Sequence, residues 1–148
     1  MKNKYLATLF VAFFLLLSLY HFSALRRTLL GQTDQAPLSI QITDHNFTND
    51  TLSISWSLDT PVPRSISKTG IYYSSISTPS ALPISASPQA VGYNNFTPDY
   101  QTGQFFLPDS FSVNIDLSGQ TDIIYYRAYA KLGNAHYWTP EKSANTNE

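Results

Sequence analysis

The chain has 148 residues, contains no cysteine and carries a formal net charge of −1 at pH 7. This length is typical of one domain, and the lack of cysteine excludes disulfide scaffolds, thiolate metal centres and cysteine nucleophiles. Acidic and basic residues nearly balance, which excludes a chain-wide basic surface for nucleic acid, and the aromatic content of 14% favours a β-rich domain outside the cytosol.

An uncharged and mostly apolar run occupies residues 5–25. As a helix, these 21 residues would span roughly 30 Å, about the thickness of the hydrocarbon core of a bilayer. A signal-peptidase site needs small residues in an A-x-A-like pattern, but Phe22 stands two positions before Ala24. We therefore predict a transmembrane anchor over residues 1–30 that contacts lipid through residues 5–25. Cleavage of a signal peptide, followed by secretion, is the alternative.

The rest of the chain is acidic. Residues 28–148 contain five basic and ten acidic side chains, which gives a net charge near −5. This charge argues against binding of anionic polymers, nucleic acid included, or of anionic lipid by this part. Its composition predicts an extracytoplasmic domain at the cell surface.

After a linker at residues 31–37, the apolar pattern changes to a period of two, which is typical of β-strands. Apolar residues alternate with polar ones in four stretches, at 38–42, 52–58, 111–117 and 124–130. We predict an all-β domain over residues 38–144, a single antiparallel sandwich of six to seven strands, followed by a tail at 145–148. Trp56 alternates with apolar neighbours and is predicted to lie in the core.

One segment, residues 77–103, interrupts this pattern with four prolines. Proline cannot donate to a strand ladder, so a central strand is excluded here. We predict a long crossover loop with at most a short edge strand near residues 89–93. Such long connections are usually functional or loosely ordered.

Three stretches resemble the fibronectin type III family: TLSISWSLDTP from residue 51, TGIYYSSISTPS from residue 69 and YYRAYAKLGNAHYW from residue 125. The first resembles the second strand of that family, where a core tryptophan precedes a proline-marked turn. The resemblance extends over residues 38–144 and implies an immunoglobulin-like sandwich of the kind found in bacterial surface proteins. It implies little about activity, because such sandwiches have many roles.

The chain offers few patterns for catalysis or metal binding. Asp44, His45 and Asp50 lack the spacing of a metal motif, and no serine stands in a nucleophile motif. We expect no cofactor, no metal site and no enzymatic activity. Three N-x-S/T sequons, at Asn46, Asn49 and Asn95, lie in predicted loops and are candidates for glycosylation.

An aromatic stripe is the best candidate for a binding surface. If Tyr126 faces the core, then Tyr125, Arg127 and Tyr129 face outward on the same strand, and neighbouring strands add Tyr72 and Tyr137 or Trp138. We name five candidate binding residues: Tyr72, Tyr125, Arg127, Tyr129 and Tyr137. Such residues anchor interfaces and stack on sugars, although outer-face aromatics also stabilise sheets through cross-strand pairs.

These observations predict a non-enzymatic, membrane-anchored protein that presents a β-sandwich for binding of a protein or glycan, for adhesion or for envelope assembly. Two alternatives are a surface filament subunit with the apolar helix in the shaft and an accessory subunit of a membrane complex. A carbohydrate-active enzyme is a weaker alternative. The predicted partners are membrane lipid and an unidentified protein or glycan, with a homo-oligomer or filament as a further possibility and no nucleic acid.

Overall fold

Ten β-strands and one short helix are found in residues 37–120 and 122–146, the part of the chain that the computed structural model describes. The strands are β1 (Ser39–Thr48), β2 (Thr51–Asp59), β3 (Arg64–Ile66), β4 (Lys68–Ser74), β5 (Asn95–Phe96), β6 (Phe105–Leu107), β7 (Asp109–Asp116), β8 (Ile123–Leu132), β9 (Ala135–Trp138) and β10 (Lys142–Asn145). The helix α1 (Pro88–Val91) has a single turn. The predicted all-β class is confirmed, but the predicted number of six to seven strands is too low.

Two antiparallel sheets make up most of this structure. The first has the order β1-β2-β7, and the second has the order β10-β8-β4-β5, with β9 also paired to β8. Strands β3 and β6 form a separate antiparallel pair. In β2, buried apolar residues alternate with half-exposed ones, so the first sheet buries one face.

The inner faces of the two sheets share one apolar core, which makes the fold a β-sandwich. Leu52 and Ile54 enter this core from the first sheet, and Ile71 and Ala128 enter it from the second. Trp56 is fully buried there, as predicted, and its ring stacks on Phe111 with centroids 5.6 Å apart. Sequence alternation therefore identified the residues that hold the two sheets together.

The loop after β4 forms an additional layer. Val91 and Tyr93 pack with Tyr72 and Tyr129 on the outer face of the second sheet, and Leu82, Ala86 and Trp138 contact this second apolar cluster. The predicted edge strand near residues 89–93 is wrong. Proline fits the first turn of a helix and glycine fits its end, and here Pro88 begins α1 while Gly92 ends it at φ 85°. The edge strand β5 lies slightly later in the chain.

The predicted anchor at residues 1–30 and most of the linker lie outside the described residues. No helix in the described part of the chain is long and apolar enough to cross a membrane. At the other end, Asn145 still pairs with Ile123 in the second sheet, so the predicted tail begins within β10. Residues 147 and 148 lie outside the described part.

Thr69 connects the two sheets through hydrogen bonds inside the core. Its hydroxyl accepts a hydrogen bond of 2.9 Å from Trp56 Nε1 and donates one of 2.7 Å to the carbonyl of Tyr129. The Thr69 side chain is fully buried. No water can therefore replace a lost partner without a rearrangement of the core.

We expect Thr69→Val to lower the free energy of unfolding by about 1–3 kcal/mol, because it leaves a buried indole N–H without an acceptor. Chemical denaturation measures this loss. Thr43→Val, at an exposed position on β1, is the matched control and should change stability by about 0.5 kcal/mol or less. Equal stability of the two variants would contradict the role of Thr69.

Candidate functional site

The five residues of the predicted stripe do not form one exposed surface. Tyr72, Arg127 and Tyr129 share the outer face of the second sheet, but they are only 4%, 1% and 1% exposed. The loop between β4 and β5 covers them, so the prediction that they face solvent is wrong. Tyr125 is half-buried near the beginning of β8, and its role in binding remains a prediction.

Tyr137 lies on the opposite face from the one predicted for it. It pairs with Ala130 and packs against the inner core, whereas its neighbour Trp138 pairs with Tyr129 and lies on the outer side. Side chains alternate along a strand, so a shift of one residue exchanges the two faces. Trp138 is therefore the aromatic residue that β9 contributes to the outer face.

Arg127 fastens the loop to the sheet. Its Nε donates to the hydroxyl of Tyr93 at 2.9 Å, and its Nη1 donates to the carbonyl of Thr139 at 2.8 Å. Its Nη2 donates to the carbonyls of Thr78 and Ser80, at 2.5 and 3.0 Å. The guanidinium thus holds both ends of the loop against β8.

Glu141 closes the same network from the other side. Its carboxylate accepts hydrogen bonds from Ser77 Oγ at 2.6 Å and from the backbone N–H of Thr78 at 2.7 Å. It also accepts a short hydrogen bond from the hydroxyl of Tyr93, which therefore bridges the carboxylate and Arg127. Burial alone would raise the pKa of Glu141, but these hydrogen bonds and the charge of Arg127 together lower it. We call Arg127, Tyr93 and Glu141 the latch.

The middle of the loop is attached at a second place, on β9. The N–H of His136 donates to the carbonyl of Ile84 at 2.8 Å, and Trp138 Nε1 donates to the carbonyl of Ala86 at 2.9 Å. The Tyr129 hydroxyl is 2.8 Å from Nδ1 of His136, and burial raises the pKa of this tyrosine to about 12. Tyr129 is therefore a neutral hydrogen-bonding group at physiological pH.

A groove of about 490 Å³ opens where this loop meets the edge of the second sheet. It is lined by Lys68, Tyr72, Pro88, Gln89, Gly92, Tyr93, Asn94 and Phe96. Phe96 is 49% exposed, so its ring is accessible from solvent. The Nζ of Lys68 lies 5.4 Å from the Phe96 ring centroid and 5.6 Å from that of Tyr72. We call this site the Lys68 groove.

Of the predicted binding residues, only Tyr72 lines this groove, and it does so from a buried position. Sequence reasoning missed Lys68, Gln89, Asn94 and Phe96. These residues come from β4, α1, β5 and the segment between α1 and β5, and no shared periodicity connects them. The sequence did contain a signal for the helical turn α1. Proline is favoured at the beginning of a helix and glycine at its end, and Pro88 and Gly92 have this spacing.

The predicted sequons are all exposed, but two of them are not in loops. Asn46 lies on β1, where its amide donates to Thr48 Oγ1 at 3.1 Å, and Asn95 lies on β5. Asn49 stands in the turn after β1, with φ at 51°. The prediction of a loop at Asn46 is wrong because a bulge after Ile42 lets β1 continue to its full length.

Asp44, His45 and Asp50, which were considered for a metal site, do not belong to a cluster of metal ligands in the described structure. His45 Nδ1 lies 2.7 Å from the hydroxyl of Tyr126, at the edge of the inner core. Within residues 37–120 and 122–146, no group of three or more His, Asp or Glu side chains is placed to hold a metal ion. The groove and the latch are therefore the chemically distinctive features of the described structure.

No family model matches the sequence, and no curated protein matches it. A solved structure of a DUF3823 family protein from Bacteroides ovatus ATCC 8483 is similar over 73% of this chain, with a TM-score of 0.41. The two sequences are 10% identical in the aligned part. The aligned part of this chain spans 54% of that protein, about half its length.

We expect Tyr93→Phe to lower the free energy of unfolding by about 1–3 kcal/mol, because it leaves the buried Nε of Arg127 without an acceptor. Chemical denaturation measures this loss, and limited proteolysis should show earlier cleavage within residues 77–93. Tyr137→Phe is the control, since that hydroxyl is not part of the latch. If both variants keep wild-type stability, the latch does not hold the loop.

The latch also predicts a dependence on pH. The lowered pKa of Glu141 means that its charged form stabilises the fold, so this contribution is complete above the ordinary value of 4.5. It is lost as the pH falls through the lower pKa of the folded state. We expect Glu141→Gln to be less stable than the wild type at pH 7, and the difference to shrink below pH 4.5. Denaturation curves at a series of pH values test this, with Asp44→Asn as a control at an exposed aspartate.

Proposed function

We propose that this chain is a non-enzymatic binding protein of the cell surface, in which a fibronectin type III-like sandwich on a membrane anchor binds a saccharide in the Lys68 groove. The anchor is the apolar segment predicted over residues 1–30. In this proposal the groove lies on the extracytoplasmic side. The exposed ring of Phe96 inside a groove is the observation that carries the proposal.

The resemblance to fibronectin type III domains is supported by the place of Trp56. The residue lies on β2, the second strand, in a core shared by two antiparallel sheets. The bend at Pro61 follows that strand, as the resemblance implies. This family association concerns the fold, and the binding role rests on the groove alone.

The groove has the chemistry of a saccharide site. Sugar rings present C–H groups that pack on aromatic faces, and Phe96 offers an accessible ring. Sugar hydroxyls need neutral donors and acceptors, and the side-chain amides of Gln89 and Asn94 provide both at the groove's rim. A peptide that extends the sheet is a poorer fit, because the edge strand β5 has only two residues.

We propose that the groove binds a saccharide without catalysis. Glycoside hydrolysis uses a pair of carboxyl groups, and none of the described residues that line the groove carries one. Glu141, which lies near Tyr93, already accepts hydrogen bonds from Ser77, Thr78 and Tyr93. The hydrogen bonds of its carboxylate therefore hold the loop.

We expect Phe96→Ala to weaken saccharide binding about tenfold or more, because it removes the aromatic anchor of the site. The measurement is retardation of the full-length chain, in non-ionic detergent, in gels that contain mannan, galactan, hyaluronate or polygalacturonate. Phe106→Ala is the matched control, since Phe106 is 69% exposed on β6 and does not line the groove.

Two results would contradict the proposed function. The first is that none of these polysaccharides retards the wild-type chain. The second is that Phe96→Ala and Phe106→Ala reduce retardation equally, which would indicate non-specific contact with exposed apolar side chains.

A further inference from the structure

The Lys68 groove carries a single positive charge. Lys68 is the one charged residue among the described residues that line it, and the neighbouring polar side chains are neutral. No described carboxylate forms an ion pair with Lys68. The surrounding chain is acidic, with ten acidic and five basic side chains in residues 28–148. This net negative charge repels anions, so Lys68 is the group through which the groove would attract one.

The surroundings of the Lys68 ammonium group further favour binding of an anion. The Nζ of Lys68 lies over two aromatic rings, 5.4 Å from the centroid of Phe96 and 5.6 Å from that of Tyr72. Aromatic rings attract a cation but do not neutralise it. Tyr72 is only 4% exposed, so one side of the ammonium faces apolar protein, where ionic attraction is stronger than in bulk water.

We infer that the Lys68 groove selects saccharides that carry a carboxylate, that is, units of the uronic acid type, and this inference rests on the proposed function. The carboxylate pairs with Nζ of Lys68 while the sugar ring packs on the exposed face of Phe96. The ammonium lies close enough to that ring for one sugar unit to contact both groups. The amides of Gln89 and Asn94 receive the hydroxyl groups at the rim.

A carboxylate fits this lining better than a phosphate does. Phosphate sites usually combine arginine forks, several cations or a set of converging backbone N–H groups. Here a single ammonium is accompanied by neutral amides. Arg127, the arginine of the latch, is 1% exposed and donates to Tyr93 and three carbonyls, so it is not available to a ligand.

The test compares polymers that differ only at the carboxylate. Full-length chain in non-ionic detergent is titrated with polygalacturonate and hyaluronate, and with the methyl ester of each, by retardation in affinity gels. We expect at least one acid form to bind about tenfold more tightly than its ester, the effect of one charge-assisted contact. Added salt should weaken binding of the acid and leave that of the ester nearly unchanged.

Variants at position 68 test whether Lys68 causes the preference for the acid form. Lys68→Gln should remove the preference for the acid, whereas Lys68→Arg should keep most of it. Lys142→Gln is the matched control, because Lys142 is similarly half-buried on a strand of the same sheet and does not line the groove. Equal losses from Lys68→Gln and Lys142→Gln would overturn the assignment to Lys68.

The remaining outcomes separate the two proposals. If acid and ester bind equally and Phe96→Ala weakens both, the carboxylate selectivity is wrong and the saccharide site stands. If only neutral polysaccharides bind, the selectivity is likewise overturned. If neither the acidic nor the neutral polymers retard the chain, both proposals fail.

Discussion

The buried guanidinium of Arg127 is the constraint on which the outer half of this structure depends. A charged group that is 1% exposed is costly unless each of its donors is satisfied. Arg127 meets this requirement through Tyr93 and the carbonyls of Thr78, Ser80 and Thr139. Three of these four groups belong to the loop between β4 and β5. The loop must therefore close over the sheet, and in doing so it creates the second apolar cluster and one wall of the groove.

Closure of the loop also explains where the sequence could and could not be interpreted correctly. On β2 and β7 one face is buried and the other is accessible, so alternation identified Trp56 and its neighbours as core. On β8 both faces are covered, and residues 126–130 are buried without interruption. An arginine on a strand indicates a solvated face only if no other segment covers that face. Here the proline-rich loop between β4 and β5 covers Arg127.

The groove could not be predicted from the sequence for a related reason. Lys68 and Tyr72 are on β4, Gln89 is on α1 and Phe96 is on β5, so the site arises only when the loop folds back on the strand. Neither a period of two nor a short motif connects these positions. The local signals that were present, Pro88 at the beginning of a helical turn and Gly92 at its end, predict the turn but not its neighbours.

The latch and the groove share Tyr93, so the shape of the groove depends on the hydrogen bonds of the latch. Its hydroxyl is held between Arg127 and Glu141, while its ring borders the groove and stacks on Trp138 with centroids 6.3 Å apart. The opposite wall is fixed near Phe96, because Thr97 exchanges hydrogen bonds of 3.0 and 3.1 Å with the backbone of Ile71. Both walls are therefore held by hydrogen bonds within the protein. A saccharide bound as proposed would not have to order the loop, so the proposed interactions with Lys68 and Phe96 would contribute directly to affinity.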